Sequence, residues 1–301
     1  MPYSEQDCIL KELSPPFLIK CSATQTSPVV FCSPHSGRVY PSSFISVSRL
    51  SPQQLRKSED CYVDELFEIV PSFGAPLIMA RFPRAFTDVN REPYELDPAL
   101  FSEPIPKFAN TWSSRVIGGL GTIARIVAPS EEIYAERLPL QIGLERIKFL
   151  YEPFHIALNE LIEKTRRKFG FAILIDCHSM PSTSIINPRT SRPDFVVGDR
   201  FGTSCDRSLT QIVRRSLAQI GRRVQVNQPY AGGYITEHYG RPNRNVHAIQ
   251  VEVNRKLYLD EATLQRSYEF NCFKSSISEF CRIIITQAHN LLDIRDITKT
   301  I

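Results

Sequence analysis

The chain has 301 residues, 42% hydrophobic and 23% charged, and its 36 Lys+Arg against 32 Asp+Glu leave a formal net charge of +4. That balance excludes a largely disordered chain, and the length allows a core to form without disulfide support. The apolar runs fall far short of the ~20 residues that a membrane-spanning helix needs. The basic pairs Arg166-Arg167, Arg214-Arg215 and Arg222-Arg223 lie in or beside helix-like stretches and not in one aromatic-flanked patch, so neither membrane nor nucleic acid is the expected partner. Eight scattered cysteines without a CxxC pair fit reduced thiols, and residues 1–7 lack the basic start and apolar core of a secretory signal, so a cytoplasmic location is expected.

No repeat or low-complexity tract divides the chain, and its 22 prolines are spread throughout. One domain over residues 28–290 is therefore expected, preceded by an N-terminal extension at 1–27 and followed by a tail at 291–301.

In chain order, the apolar run 28–33 predicts a buried strand that leads into Pro34-His35-Ser36-Gly37. Ser51-Pro52-Gln53-Gln54 predicts a helix start, with a capping serine, proline at the first position and glutamine at the third. Residues 75–80 form a second strand-like run. Next comes Thr87-Asp88-Val89-Asn90-Arg91-Glu92-Pro93, where an arginine fork beside an asparagine amide suits a bidentate grip on a carboxylate, although an exposed turn is the alternative. Residues 131–168 carry apolar positions at helical spacing, with breaks expected at Pro139 and Pro153.

The run 171–175 predicts a third strand and feeds Asp176-Cys177-His178-Ser179-Met180-Pro181. His35 and His178 thus stand just past equivalent strand ends, which suits a metal or an acid/base pair. Leu209, Ile212, Val213, Leu217 and Ile220 make an amphipathic helix, and 223–226 a further strand. Ala231-Gly232-Gly233-Tyr234-Ile235-Thr236-Glu237-His238-Tyr239-Gly240 reads as a glycine-hinged loop able to close over a substrate. In Val246-His247-Ala248-Ile249-Gln250-Val251-Glu252-Val253-Asn254, strict alternation sets Gln250, Glu252 and Asn254 opposite Ile249, Val251 and Val253. A carboxylate in so apolar a strand is costly unless paired or employed as a base, so Glu252 is either a general base or half of an ion pair with Arg255 or Arg91. Leu264, Tyr268, Phe273, Ile277, Phe280 and Ile284 mark a last helix. Strands alternating with helices predict an α/β fold whose ligands collect beyond the carboxyl ends of the strands.

Together the words PHSGRVYP, DVNREP, DCHSMP, GDRFG and GGYIT, in this order, resemble the N-formylglutamate amidohydrolase family over roughly residues 28–285. The resemblance implies a three-layer α/β/α sandwich with a mixed, largely parallel sheet, similar to the zinc carboxypeptidases. It also implies a zinc-dependent hydrolase that releases formate from N-formyl-L-glutamate, a step of histidine degradation, with a small-molecule N-acyl amino acid as its partner and the oligomeric state left open.

Residue by residue, the resemblance implies His35 and His178 as metal ligands. Related carboxypeptidases and aspartoacylases place a ligating glutamate three positions after the first histidine, where this chain has Arg38. The third ligand is then sought among Glu59, Asp60, Asp64 and Glu65, with Asp64 preferred and Asp60 next; a helix cap is the other role for Asp64. Glu252 resembles the general base, Asn90 and Arg91 the carboxylate grip, and Tyr234, Thr236 and His238 the loop over the substrate. The family loop usually carries arginine after Ile-Thr, where this chain has Glu237, which leaves open a deacylase or carboxypeptidase acting on another N-acyl amino acid or peptide end.

Overall fold

The computed structural model describes residues 4–184 and 193–298. Its strands are β1 (Phe17–Lys20), β2 (Val29–Ser33), β3 (Leu77–Ala80), β4 (Ile126–Ala128), β5 (Glu131–Glu132), β6 (Ala172–Met180), β7 (Phe195–Gly198), β8 (Val224–Val226), β9 (Val246–Asn254), β10 (Leu259–Asp260) and β11 (Gln265–Arg266). Its α-helices are α1 (Glu5–Glu12), α2 (Ser42–Val47), α3 (Pro52–Leu55), α4 (Val63–Leu66), α5 (Ser114–Ile117), α6 (Leu140–Arg146), α7 (Glu152–Phe169), α8 (Arg207–Gln219), α9 (Tyr234–Tyr239) and α10 (Phe270–Thr298). No helix of the described residues is long and apolar enough to cross a membrane.

Seven strands form one sheet in the order β1-β3-β2-β6-β9-β7-β8. The β2–β6, β6–β9 and β7–β8 pairs are parallel and β7–β9 is antiparallel, so the sheet is mixed and largely parallel, in an α/β fold. The near-continuous apolar runs of β2, β6 and β9 follow from burial along their whole length, as expected of parallel strands covered on both faces. Residues 1–27, expected as an extension, supply α1 and the edge strand β1, and α10 runs through most of the expected tail.

The chain divides into two compact units, Met1–Leu18, Pro34–Cys61 and Met79–Ala157 in the first, and Ile19–Ser33, Tyr62–Ile78 and Leu158–Ile301 in the second. In the first, Phe44, Phe86 and Tyr134 pack ring on ring. The buried Arg146 guanidinium lies 4.0 Å from the Phe86 centroid and pairs with Glu5 at 2.5 Å, which compensates the cost of burying its charge. In the second unit, Phe195, Tyr258 and Phe273 stack and α10 packs on α8.

Several expected elements differ in detail. The capping box at Ser51 forms as read. Pro139 stands immediately before α6, whereas the helix continues through Pro153 because the wider π-helical turn Ile147–Tyr151 precedes it and accommodates a residue without an N–H. The strand expected to stop at residue 175 continues to Met180, since β9 offers a ladder partner to every residue up to Asn254. Leu264 lies before β11, and Tyr268, fully exposed, precedes α10, so neither belongs to the expected helical stripe.

Candidate active site

In the first unit the chain leaves β2 at Ser33, and His35 follows after Pro34. Gly37 is required there because a Cβ would lie 2.1 Å from the Phe82 carbonyl oxygen. Backbone contact of Val39 with Arg81 fastens the segment. His35 is buried, with its Nε2 2.7 Å from Asp88 Oδ1 and its Nδ1 3.5 Å from Asp60 Oδ2. The Asp60 backbone N–H in turn donates to the His35 carbonyl at 3.0 Å.

Asp88 gathers the surrounding donors. It accepts from Asn90 N–H at 2.8 Å and Arg84 Nη2 at 2.8 Å, with Arg91 Nη2 at 3.5 Å. Burial alone would raise its carboxyl, but Arg84, Arg91 and His35 outweigh it and hold Asp88 well below the usual carboxylate range. Asp88 is therefore an ionised acceptor to which His35 presents Nε2, while Nδ1 of the same ring is turned to Asp60. Arg91 is buried too, and its Nε and Nη1 donate to the Leu120 and Asn90 carbonyls. Burial pushes its guanidinium down to about 10, which still leaves it charged at neutral pH.

In the second unit, β6 and β9 run in register with Asp176 beside Gln250 and His178 beside Glu252. Parallel pairing and the two-residue period put all four side chains on one face. His178 Nε2 lies 2.9 Å from Asp176 Oδ1, the same ring nitrogen on a carboxylate as at His35. Asp176 Oδ2 accepts from the Thr236 hydroxyl at 3.1 Å, and Gln250 Nε2 donates to Glu252 Oε1 at 2.8 Å.

The expected loop over the substrate is helix α9 from Tyr234 onward, packed on β6 and β9. Thr236 is fully buried with its hydroxyl on Asp176, a supporting position and not an exposed one. Tyr234 is half-buried and stacks on exposed His238, with ring centroids 4.9 Å apart. Glu237 is exposed and pairs with Arg200 Nη2 at 2.7 Å.

Buried His35 and Asp60 of the first unit and buried His178 of the second are imidazole and carboxylate donors of the kind that hold a metal ion. The carboxylate that stands beside His35 is Asp60, the next choice after the expected Asp64. Asp64 lies inside the first turn of α4, whose N-cap is Tyr62 in the left-handed conformation, so Asp64 does not cap that helix either. The donor chemistry fits a zinc-type ion, with two imidazoles whose Nε2 is taken by a carboxylate and one further carboxylate oxygen. The sequence pattern alone assigns no separate role to Asp88, Asp176 or Gln250. For Asp176 the signal was present, a carboxylate two residues before His178 on the same strand face.

A sequence model described as N-formylglutamate amidohydrolase matches residues 27–259. The chain is 27% identical over 267 residues to the N-formylglutamate deformylase of Pseudomonas aeruginosa, covering 86% of this chain and 90% of that one. It is 26% identical to the enzyme of the same name from Pseudomonas putida, covering 78% and 82%. Among solved structures, N-formylglutamate amidohydrolase from Ralstonia eutropha JMP134 superposes with a TM-score of 0.86 at 34% identity, covering 91% of this chain and 99% of that one. A gene product from Agrobacterium tumefaciens shares the fold, with a TM-score of 0.66 at 17% identity over 92% of this chain and 94% of that one.

Proposed function

The chain belongs to the N-formylglutamate amidohydrolase family, hydrolases that act on an amide, and from that premise we propose that it cleaves N-formyl-L-glutamate to formate and L-glutamate with the help of zinc. The observation that carries the reading is the pairing of buried histidines with carboxylates in each unit, His35 beside Asp60 and Asp88 in the first and His178 beside Asp176 and Glu252 in the second.

His35, Asp60 and His178 would hold the zinc ion, which when bound would supply Lewis acidity towards the formyl carbonyl and lower the pKa of water. Glu252 takes a proton from the attacking water as its oxygen bonds to the formyl carbon. It then passes that proton to the amide nitrogen, so that the C–N bond breaks and the amine leaves neutral. Arg91 and Asn90 hold the amino-acid carboxylate, and Tyr234 and His238 border the substrate. Asp88 and Asp176 keep both imidazoles in the tautomer that offers Nδ1. The reaction would take place in the cytoplasm as a step of histidine degradation.

Glu237 favours a second reading, a deacylase or carboxypeptidase for another N-acyl amino acid or peptide end. An exposed carboxylate already paired with Arg200 offers no cationic grip for a glutamate side chain. Zinc-loaded protein assayed on N-formyl, N-acetyl and N-succinyl derivatives of glutamate, glutamine and lysine separates the two. Highest kcat/KM on N-formyl-L-glutamate supports the first reading, and a tenfold preference for any other compound replaces it with the second.

A further inference from the structure

The second unit contains a hydrogen-bonded chain that ends on Glu252 and begins on the backbone of the Gly232-Gly233 segment. Gly233 N–H donates to Gln250 Oε1 at 2.7 Å, and Gln250 Nε2 donates to Glu252 Oε1 at 2.8 Å. Gln250 and Glu252 are both buried. The first bond fixes the orientation of the amide, because a backbone N–H can only donate and must face the carbonyl oxygen. The Gln250 nitrogen is thereby committed to Glu252.

The approach of that segment to the sheet depends on Gly198. Gly198 stands opposite Gln250 in the β7–β9 register. A Cβ there would lie 2.6 Å from both the Ala231 carbonyl carbon and the Gly232 nitrogen, closer than nonbonded atoms tolerate. With no side chain at 198, the 231–233 backbone lies down on the strand beside Gln250. Arg200 fastens it there, its backbone N–H donating to the Ala231 carbonyl at 2.7 Å and its Nη1 to the Gly232 carbonyl at 3.2 Å.

We infer that Gln250 is a positioning residue for Glu252: through Gly233 it holds one carboxylate oxygen of the base in place. The inference rests on the proposed role of Glu252. It extends that role to a second residue of β9 and gives the Gly232-Gly233 segment a fixed task, that of holding the base.

The test compares Gln250→Met, Gln250→Leu, Gly198→Ala and Glu252→Gln as zinc-loaded full-length proteins, with folding checked by circular dichroism and bound metal by elemental analysis. Gln250→Met keeps the length of the side chain and guards against a simple cavity effect. The expected result is a kcat reduced at least tenfold in both Gln250 variants and in Gly198→Ala, with KM within twofold of the parent and one metal per chain. Unchanged kcat in folded Gln250→Met and Gln250→Leu, or a fall in kcat matched by loss of metal, overturns the inference. Full turnover by Glu252→Gln overturns the role of Glu252 itself, a result separable from the first because that variant keeps Gln250 intact.

Discussion

His35 Nε2 and Asp88 Oδ1 lie 2.7 Å apart, and the same Asp88 carboxylate also accepts from Arg84 and from the Asn90 backbone. One buried acid thus connects a proposed metal ligand to the residues proposed to grip the substrate carboxylate. In Asp88→Asn the amide can turn its oxygen to His35 but carries no charge for Arg84 and Arg91. Zinc affinity should fall about 10–100-fold. Competition against a chromophoric chelator measures it, and an affinity within threefold of the parent would show that His35 needs no such support.

The same carboxylate makes a pH prediction. Its folded pKa is depressed, so its contribution is fully present above its unfolded value of about 3.9 and is lost as pH falls through the lower folded value. Metal-free Asp88→Asn should therefore be less stable than the parent at neutral pH, by about 3 kcal/mol as for a broken buried pair. The deficit should shrink towards acid pH. Urea unfolding of both proteins at neutral pH and near pH 3 reads it, and a deficit independent of pH contradicts the assignment.

Glu252→Gln preserves size and removes the base. Turnover should drop about 100- to 10,000-fold while zinc stays bound at one ion per chain. Loss of zinc together with activity would instead place Glu252 among the ligands.

Thr236 separates a supporting role from a contact with substrate. Its hydroxyl donates to Asp176, so Thr236→Val should cost about 0.5–1.5 kcal/mol of stability and weaken metal binding, with KM little changed. Thermal unfolding and steady-state kinetics distinguish the cases, and a KM raised tenfold with unaltered stability and metal affinity would return Thr236 to the substrate.

Much of this was legible in the chain. Near-continuous apolar runs marked β2, β6 and β9, and strict alternation set Gln250 and Glu252 on one strand face, as found. The loss of legibility has physical causes. Polar residues 176–180 looked like a loop, yet they remain in β6 because β9 pairs with them residue by residue. The glycines at 232 and 233 suggested a hinge, while the absence of a side chain at Gly198, far away in sequence, is what draws that segment onto the sheet. Asp60 and Asp64 are four positions apart in a sequence that does not reveal which one faces His35. The backbone bond from Asp60 to the His35 carbonyl does.

The most direct measurement is formate release from N-formyl-L-glutamate by purified protein, first stripped of metal with a chelator and then resupplied with zinc. Zinc-dependent hydrolysis predicts no release from the stripped protein and its return with one zinc per chain. Undiminished release from protein verified as metal-free, or none from the zinc-loaded protein, would contradict it.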